Sequence, residues 1–294
     1  MTPDKLDKIK RDFLNDSLTD FDAALKKFQT ELLKYIQSEF IPAMKDGKIL
    51  YTAANFRDAN IFTQKIDKFL SSLEPAFKEV AIKMLESAQY SADYFSAAAN
   101  VKATTADIES KLQILSQRIG IDYKTGKVIE GSYIYRLGKM DAIRNQIADY
   151  INHSISTNAD WKTFRQGMKE LISGNAKVDG SLVRYSKQYI HDTARQASQA
   201  IDNAFADKFG LVYFLYFGDE IETTRPFCKS RYGNVYHRDD VKNWPDDLPY
   251  FPENYNFFID RGGYNCRHQI RWITRAEAKA AGYDVTKHDK KWLA

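Results

Sequence analysis

The residues best suited to chemistry are two cysteines and two histidines near the C-terminal end of the chain. Cys266 lies two residues before His268, and Cys228 and His237 lie upstream. If the segment from Cys266 onward is extended, alternate side chains share a face, so its thiol and the His268 imidazole lie side by side on the apolar face. Mixed sulfur and nitrogen ligands suit zinc. Cys228, Cys266 and His268, with His237 as the fourth ligand, therefore form a candidate zinc site.

Three interpretations of these residues stay open. A zinc ion would hold a loop-rich module together, although the ligand spacing does not match a common zinc finger. A Cys228–Cys266 disulfide would form if the mature protein meets oxidising surroundings. Plain burial of the cysteines beside a hydrogen-bonded core histidine is common in proteins. A nucleophilic Cys–His pair has the right residue types, but Cys266 and His268 would face the core, so no catalytic residues are expected.

Arginines and glycines surround the cysteines. Arg225 and Arg267 are expected to form structural ion pairs within the chain. The alternative is that their guanidinium groups bind a carboxylate of a partner protein or a DNA phosphate. The carboxylates available as partners are Asp219, Glu220, Glu222 and Asp260. The pair Gly262-Gly263 permits positive φ and a sharp turn before the following strand.

The elements that position this stretch begin with a long N-terminal helix. Apolar residues recur at alternating steps of four and three, namely Leu14, Leu18, Phe21, Leu25, Phe28, Leu32 and Tyr35. This heptad seam predicts a long helix, packed either within the chain as a hairpin or against another molecule. A second helical pattern contains Pro75, which predicts a kink or a break near Leu73.

Further helices are expected after this break. One begins at Thr104 or Thr105 and ends at Gly120, and Ser132 caps a next helix that continues to Ile155. A short helix beginning near Trp161 ends at Gly174. A long helix then spans residues 181–210.

The C-terminal stretch contains the strands. Leu211–Phe217 is aromatic and apolar and is bounded by glycines, and Ile270–Trp272 is a second strand candidate. Thr274 and Glu277 form a capping box that begins a last short helix. The sequence therefore predicts a mostly α protein with a small α+β C-terminal module: a long helical hairpin or bundle plus a short-stranded sheet. The expected segments are 1–120, 121–210 and 211–294.

Composition limits the function classes. The chain has 294 residues, 44% of them hydrophobic, which is enough for a sizeable core. A formal net charge of +4 is too small to indicate nucleic-acid binding by itself. Two cysteines do not make a disulfide framework, which favours a reducing cytoplasm during synthesis. Neither a signal peptide nor a membrane span is expected.

Two motifs and the helix before them resemble the phage minor head, or head-morphogenesis, proteins of the Mu F type. The helix contributes Ala194-Arg195. The two motifs are Thr224-Arg225-Pro226-Phe227-Cys228 and Gly262-Gly263-Tyr264-Asn265-Cys266-Arg267-His268, and a turn, Gly233-Asn234-Val235-Tyr236, lies between them. The resemblance covers roughly residues 130–275. Many members have a final cysteine where this chain has His268, and histidine can replace cysteine as a zinc ligand.

The resemblance implies a structural role in the virion rather than an enzymatic one. Such proteins, made in the host cytoplasm, associate with the portal and inner capsid and assist head assembly, DNA packaging or ejection. Expected partners are portal and capsid proteins, packaged DNA, and further copies of the chain assembled on the portal. The rival functions are a Cys–His hydrolase or toxin-like effector, and a zinc-stabilised nucleic-acid-binding module with Arg261, Arg267, Arg271 and Arg275 as a basic stripe.

Overall fold

A computed structural model describes residues 1–175, 177–218, 220–245, 247–251, 253–264 and 266–288. The fold is mostly α with a small antiparallel sheet near the C-terminus, as the sequence predicts. The helices before this sheet are α1 Pro3–Glu39, α2 Ala53–Leu70, α3 Glu74–Ala99, α4 Thr105–Ile119, α5 Tyr133–Lys139, α6 Asp141–Ser156, α7 Trp161–Ser173 and α8 Ser181–Phe209. The strands are β1 Met44–Lys45, β2 Lys48–Ile49, β3 Tyr213–Phe217, β4 Val235–His237 and β5 Gln269–Ile273. Short helices α9 Pro226–Lys229, α10 Phe257–Asp260 and α11 Arg275–Ala280 lie among and after the last three strands.

The heptad seam lies on α1, which confirms the predicted long helix. Its leucines and phenylalanines are buried, whereas Tyr35 is half-buried. Phe28 packs on Phe69 of α2, with ring centroids 5.4 Å apart, and Tyr35 stacks on the same ring at 4.7 Å. These contacts favour the interpretation in which this part of the seam is covered by the chain itself.

The break at Pro75 is confirmed. Helix α2 ends at Leu70, a 3-10 turn spans Ser71–Leu73, and α3 begins at Glu74. Pro75 therefore lies in the first turn of α3, where a missing backbone N–H leaves no intrahelical hydrogen bond unmade.

The prediction of a single helix after Ser132 is wrong in one respect. Ser132 does cap a helix, because its hydroxyl accepts a hydrogen bond from the Tyr135 N–H. That helix is α5, however, and it ends at Lys139, because the next residue, Met140, adopts a left-handed φ of 51° before α6 begins. The apolar period continues across the break, so periodicity alone predicts one helix where there are two.

Contacts between residues divide the chain into two compact units. One contains residues 1–15, 83–118 and 191–294, and the other contains residues 16–82 and 119–190. Because neither unit is continuous in sequence, this division does not decide the predicted segments 1–120, 121–210 and 211–294. Among the described residues, no helix combines the length and the apolar character that crossing a membrane requires.

The three-stranded sheet has the order β4-β3-β5, and both pairings are antiparallel. Phe214 of β3 pairs with Trp272 of β5 and with Tyr236 of β4. The Phe214 ring contacts those of Trp272 and Phe257 at centroid distances of 5.5 and 5.8 Å. Aromatic side chains on alternate strand positions therefore build the core of the C-terminal module.

A buried ion pair joins distant parts of the same unit. Lys10 Nζ lies 2.5 Å from Asp202 Oδ2, and the Ser91 hydroxyl donates to Asp202 Oδ1 at 2.8 Å. Both charged side chains are at most 7% exposed. If one of the two side chains is removed, the charge of the other stays buried without a partner, and this destabilises the fold.

Removing Lys10 should therefore be costly. We expect Lys10→Met to lower the free energy of unfolding by about 3–5 kcal/mol, because it leaves the Asp202 carboxylate buried without its cation. Chemical denaturation followed by circular dichroism measures the change. The control is Lys187→Met, whose partner Asp22 is 3.0 Å away in a half-exposed pair, and which should cost less than about 1 kcal/mol. Equal losses in the two variants would contradict the prediction.

Candidate metal centre

Three of the four predicted metal ligands converge. The Sγ atoms of Cys228 and Cys266 are 4.0 Å apart, and Cys266 Sγ lies 3.9 Å from His268 Nδ1. Cys228 is carried by α9, whereas Cys266 and His268 immediately precede β5. All three side chains are buried, and burial alternates from Cys266 through exposed Arg267 to His268, as the extended segment predicts.

Gly262 makes the approach of the two cysteines sterically feasible. A Cβ at this position would lie 2.4 Å from Cys228 Sγ and 3.0 Å from Cys266 Sγ, closer than side-chain atoms can pack. The Gly262 N–H donates to Cys266 Sγ at 3.3 Å. The predicted positive φ is found at Gly263, at 86°, whereas Gly262 is needed for space.

Arg225 joins the two motifs. Its guanidinium donates to the backbone carbonyls of Gly262 at 2.9 Å and Tyr264 at 2.6 Å. Among the predicted carboxylate partners of Arg225, Glu220 pairs with Lys229, and Asp219 lies outside the described residues. Because the Arg225 guanidinium donates to both carbonyls, it connects helix α9, which carries Cys228, to the turn at Gly262 and Gly263.

The other motif residues have separate positions. Thr224 closes the turn before α9, where its hydroxyl accepts from the Ile221 N–H at 2.8 Å. Arg195 is half-buried on α8, and the pKa of its guanidinium is lowered by burial and then by the nearby charge of Arg261. Arg267 is exposed, and Asn265 lies outside the described residues.

Tyr216 is a neighbour of the cysteines that the motifs do not indicate. Its hydroxyl lies 3.4 Å from Cys228 Sγ and 3.7 Å from Cys266 Sγ, and its ring stacks on His268 with centroids 5.3 Å apart. The available signal was strand alternation, because Tyr216 shares a face of β3 with the core residue Phe214.

The two thiols differ electrostatically. Hydrogen bonds from Cys228 and His268, with the nearby charge of Arg261, outweigh burial and lower the pKa of Cys266 to about 3. The hydrogen bond with Cys266, together with burial, raises the pKa of Cys228. Arg261 is 1% exposed and adopts a left-handed φ of 56°, which sets its charge against this site at a cost in backbone strain.

The structure does not bring His237 to the cysteines. Its ring stacks on His288 with centroids 4.0 Å apart, and these two histidines form a separate group with Asp239. His237 Nδ1 accepts a hydrogen bond from the Asp239 N–H at 3.1 Å. A neutral ring that accepts at Nδ1 carries its proton on Nε2, so neither nitrogen has a lone pair free for a metal.

Asp240 anchors the last described residues, a role that the sequence did not indicate. Its carboxylate accepts from the Tyr283 hydroxyl at 2.7 Å and the Lys287 ammonium at 2.9 Å, and it lies 3.1 Å from His288 Nε2. Burial alone would raise the pKa of Asp240, but the hydrogen bonds from Tyr283, Lys287 and the His237 N–H outweigh it and hold the pKa at about 2.

No family model, curated protein or solved structure matches this chain.

Enlarging Gly262 should separate the cysteines. We expect Gly262→Ala to destabilise the protein by about 1–3 kcal/mol, because its methyl group would overlap both sulfur atoms in a packed interior. Thermal and chemical unfolding measure the effect. Gly138→Ala is the control, since its Cβ would come only within 3.4 Å of the flexible Glu74 side chain. An equally small effect of both substitutions would contradict the steric role of Gly262.

The Asp240 network should make stability depend on pH in the acid range. A carboxyl group whose pKa is held at about 2 when folded stabilises the fold above pH 4, and this contribution disappears as the pH falls through 2. We expect Asp240→Asn to cost about 1 kcal/mol at pH 7 and much less near pH 2, where the carboxyl group is about half protonated in the folded protein. Unfolding curves at both values test this, with exposed Asp149→Asn as the control. A cost that persists unchanged at pH 2 would contradict it.

Proposed function

We propose that this chain is a structural minor head, or head-morphogenesis, protein of a tailed phage. In this role it associates with the portal and the inner capsid and assists head assembly, DNA packaging or ejection. Further copies would assemble on the portal, and packaged DNA is a further partner. The protein would be made in the host cytoplasm and act in the virion.

The observation that carries the proposal is the meeting of the two motifs in one folded unit. Arg225 of the first motif bonds to the backbone of Gly262 and Tyr264 in the second, and the motif cysteines lie 4.0 Å apart. Residues that are 37 to 39 positions apart in sequence therefore support one another. This arrangement supports the interpretation of both motifs as parts of one structural domain.

Burial of the chemical groups favours a structural role over the hydrolase alternative. Cys228, Cys266 and His268 are each at most 3% exposed, and a nucleophile must reach its substrate. The cavity that they line has a volume of about 180 Å³. Pockets that enclose small molecules usually measure about 300–1,000 Å³. The low pKa of Cys266 suits a nucleophile, but access to it is narrow.

The arginines also argue against the nucleic-acid alternative. Arg261 is buried, and Arg271 pairs with Asp4 at 2.6 Å. Arg275 donates to the Tyr213 hydroxyl at 3.5 Å, which leaves Arg267 and Arg275 as the two exposed members of the four. A basic stripe along this segment would need exposed, unpaired charges to reach phosphates.

Incorporation into particles tests the proposed function. The chain is produced together with the portal and major capsid proteins of the same genome, and the particles are separated by sedimentation. We expect the chain in the particle fraction at few copies per head, because the resemblance implies a portal-associated protein. A helical protein of similar size from another source is the control. A folded chain that stays entirely in the soluble fraction would contradict the proposal.

The same preparation separates the rivals. Hydrolysis of ester or peptide substrates that Cys266→Ser abolishes would favour the hydrolase. Binding of duplex DNA that weakens steeply with salt, without incorporation into particles, would favour the nucleic-acid-binding module.

A further inference from the structure

We propose that Cys228, Cys266 and His268 hold one Zn²⁺ ion, with a water in the fourth position on the side of the cavity that these residues line. This inference goes beyond the proposed function and does not rest on it. A metal at this position would join α9 to the start of β5, which are separated in sequence by β4 and α10.

The spacing of the ligand atoms fits a tetrahedral ion. Two thiolates each about 2.3 Å from zinc at the tetrahedral angle are about 3.8 Å apart, and a thiolate and an imidazole nitrogen are about 3.6 Å apart. The observed separations are 4.0 Å between the sulfurs and 3.9 Å between Cys266 Sγ and His268 Nδ1. All three ligand atoms lie within 4.8 Å of one another. Small shifts therefore suffice to bring them onto one ion.

His268 lacks the hydrogen bonds that a buried imidazole normally makes. Its Nε2 is buried without a partner among the described residues, and its Nδ1 has the distant Cys266 sulfur at 3.9 Å. Buried ring nitrogens are nearly always satisfied, and a missing ion or water is a common reason for an exception. Zinc bound at Nδ1 would replace the distant sulfur contact of that nitrogen, and Nε2 would still need a hydrogen-bond partner.

The surroundings of the sulfurs suit thiolate ligands. The Gly262 N–H donates to Cys266 Sγ, and the Tyr216 hydroxyl lies within reach of both sulfurs. Such outer contacts orient ligands and stabilise their negative charge. Two thiolates neutralise a divalent cation, so the bound centre would carry no net charge in a buried place. Binding would release the protons of the thiols.

The cavity beside the three ligands determines which group can be the fourth ligand. Besides the three ligands it is lined by Thr223, Thr224 and Arg225 among others, and no carboxylate lines it in the described part of the chain. Its volume of about 180 Å³ holds water but little else. A site with three protein ligands and water resembles catalytic zinc in coordination, yet the small cavity restricts it to holding the fold together.

The test uses the purified full-length chain, loaded with zinc and dialysed. We expect about one zinc per chain by elemental analysis, and below about 0.1 in Cys228→Ser, Cys266→Ser and His268→Ala. His268→Cys should keep the metal, because cysteine is also a zinc ligand. His237→Ala is the matched control and should keep it too, since His237 is not one of the ligands. Loss of zinc in His237→Ala equal to that in Cys266→Ser would overturn the proposed ligand set.

A second measurement covers variants that fail to fold. Wild-type protein loaded with Co²⁺ should show visible bands of a four-coordinate ion and thiolate-to-cobalt charge transfer in the near ultraviolet. Wild type that binds neither metal, with two free thiols after denaturation, would overturn the proposal in favour of plain burial. Absence of free thiols under non-reducing conditions would overturn it in favour of a Cys228–Cys266 disulfide, which needs sulfurs about 2.05 Å apart.

Discussion

Strand β3 hydrogen-bonds to β4 on one edge and to β5 on the other, and this pairing determines which parts of the C-terminal module can meet. Pairing Phe214 with Trp272 places Phe217 opposite Gln269, so the residues just before β5 lie beside the end of β3. Tyr216 then reaches both sulfurs with its hydroxyl and His268 with its ring. A slip of one residue would turn Tyr216 to the other face and remove these contacts. The site therefore depends on strand register as much as on its own residues.

Features encoded by local periodicity could be predicted from the sequence. The heptad seam of α1, the break before Pro75 and the Thr274 capping box each depend on residues within a few turns of one another, and the structure has all three. The burial of Cys266 and His268 on one face was also predictable, because alternation in an extended segment is a local rule. It needed no knowledge of what covers that face.

Features that depend on distant backbone could not be predicted. Arg225 was expected to find a carboxylate, and its guanidinium donates to carbonyls of a turn 37 to 39 residues later, which the sequence did not indicate. His237 carries a ligand side chain, yet its position on β4 turns it toward His288 and the last described residues. Met140 breaks a helix although its side chain gives no signal for a left-handed turn. In each case the residue type shows which interactions are chemically feasible, and the tertiary structure determines which of them forms.

The unit that contains the sheet begins with residues 1–15 and is completed by residues 191–294. Lys10 therefore leaves the ribosome 192 residues before Asp202, its buried partner. At about 5–20 residues per second, the interval is about 10–40 s. During that time Lys10 lacks Asp202, and the first turns of α1 have no sheet to pack on. This unit consequently cannot finish folding until residues 191–294 have been synthesised. Until then residues 1–15 lack the surfaces on which they pack in the folded protein.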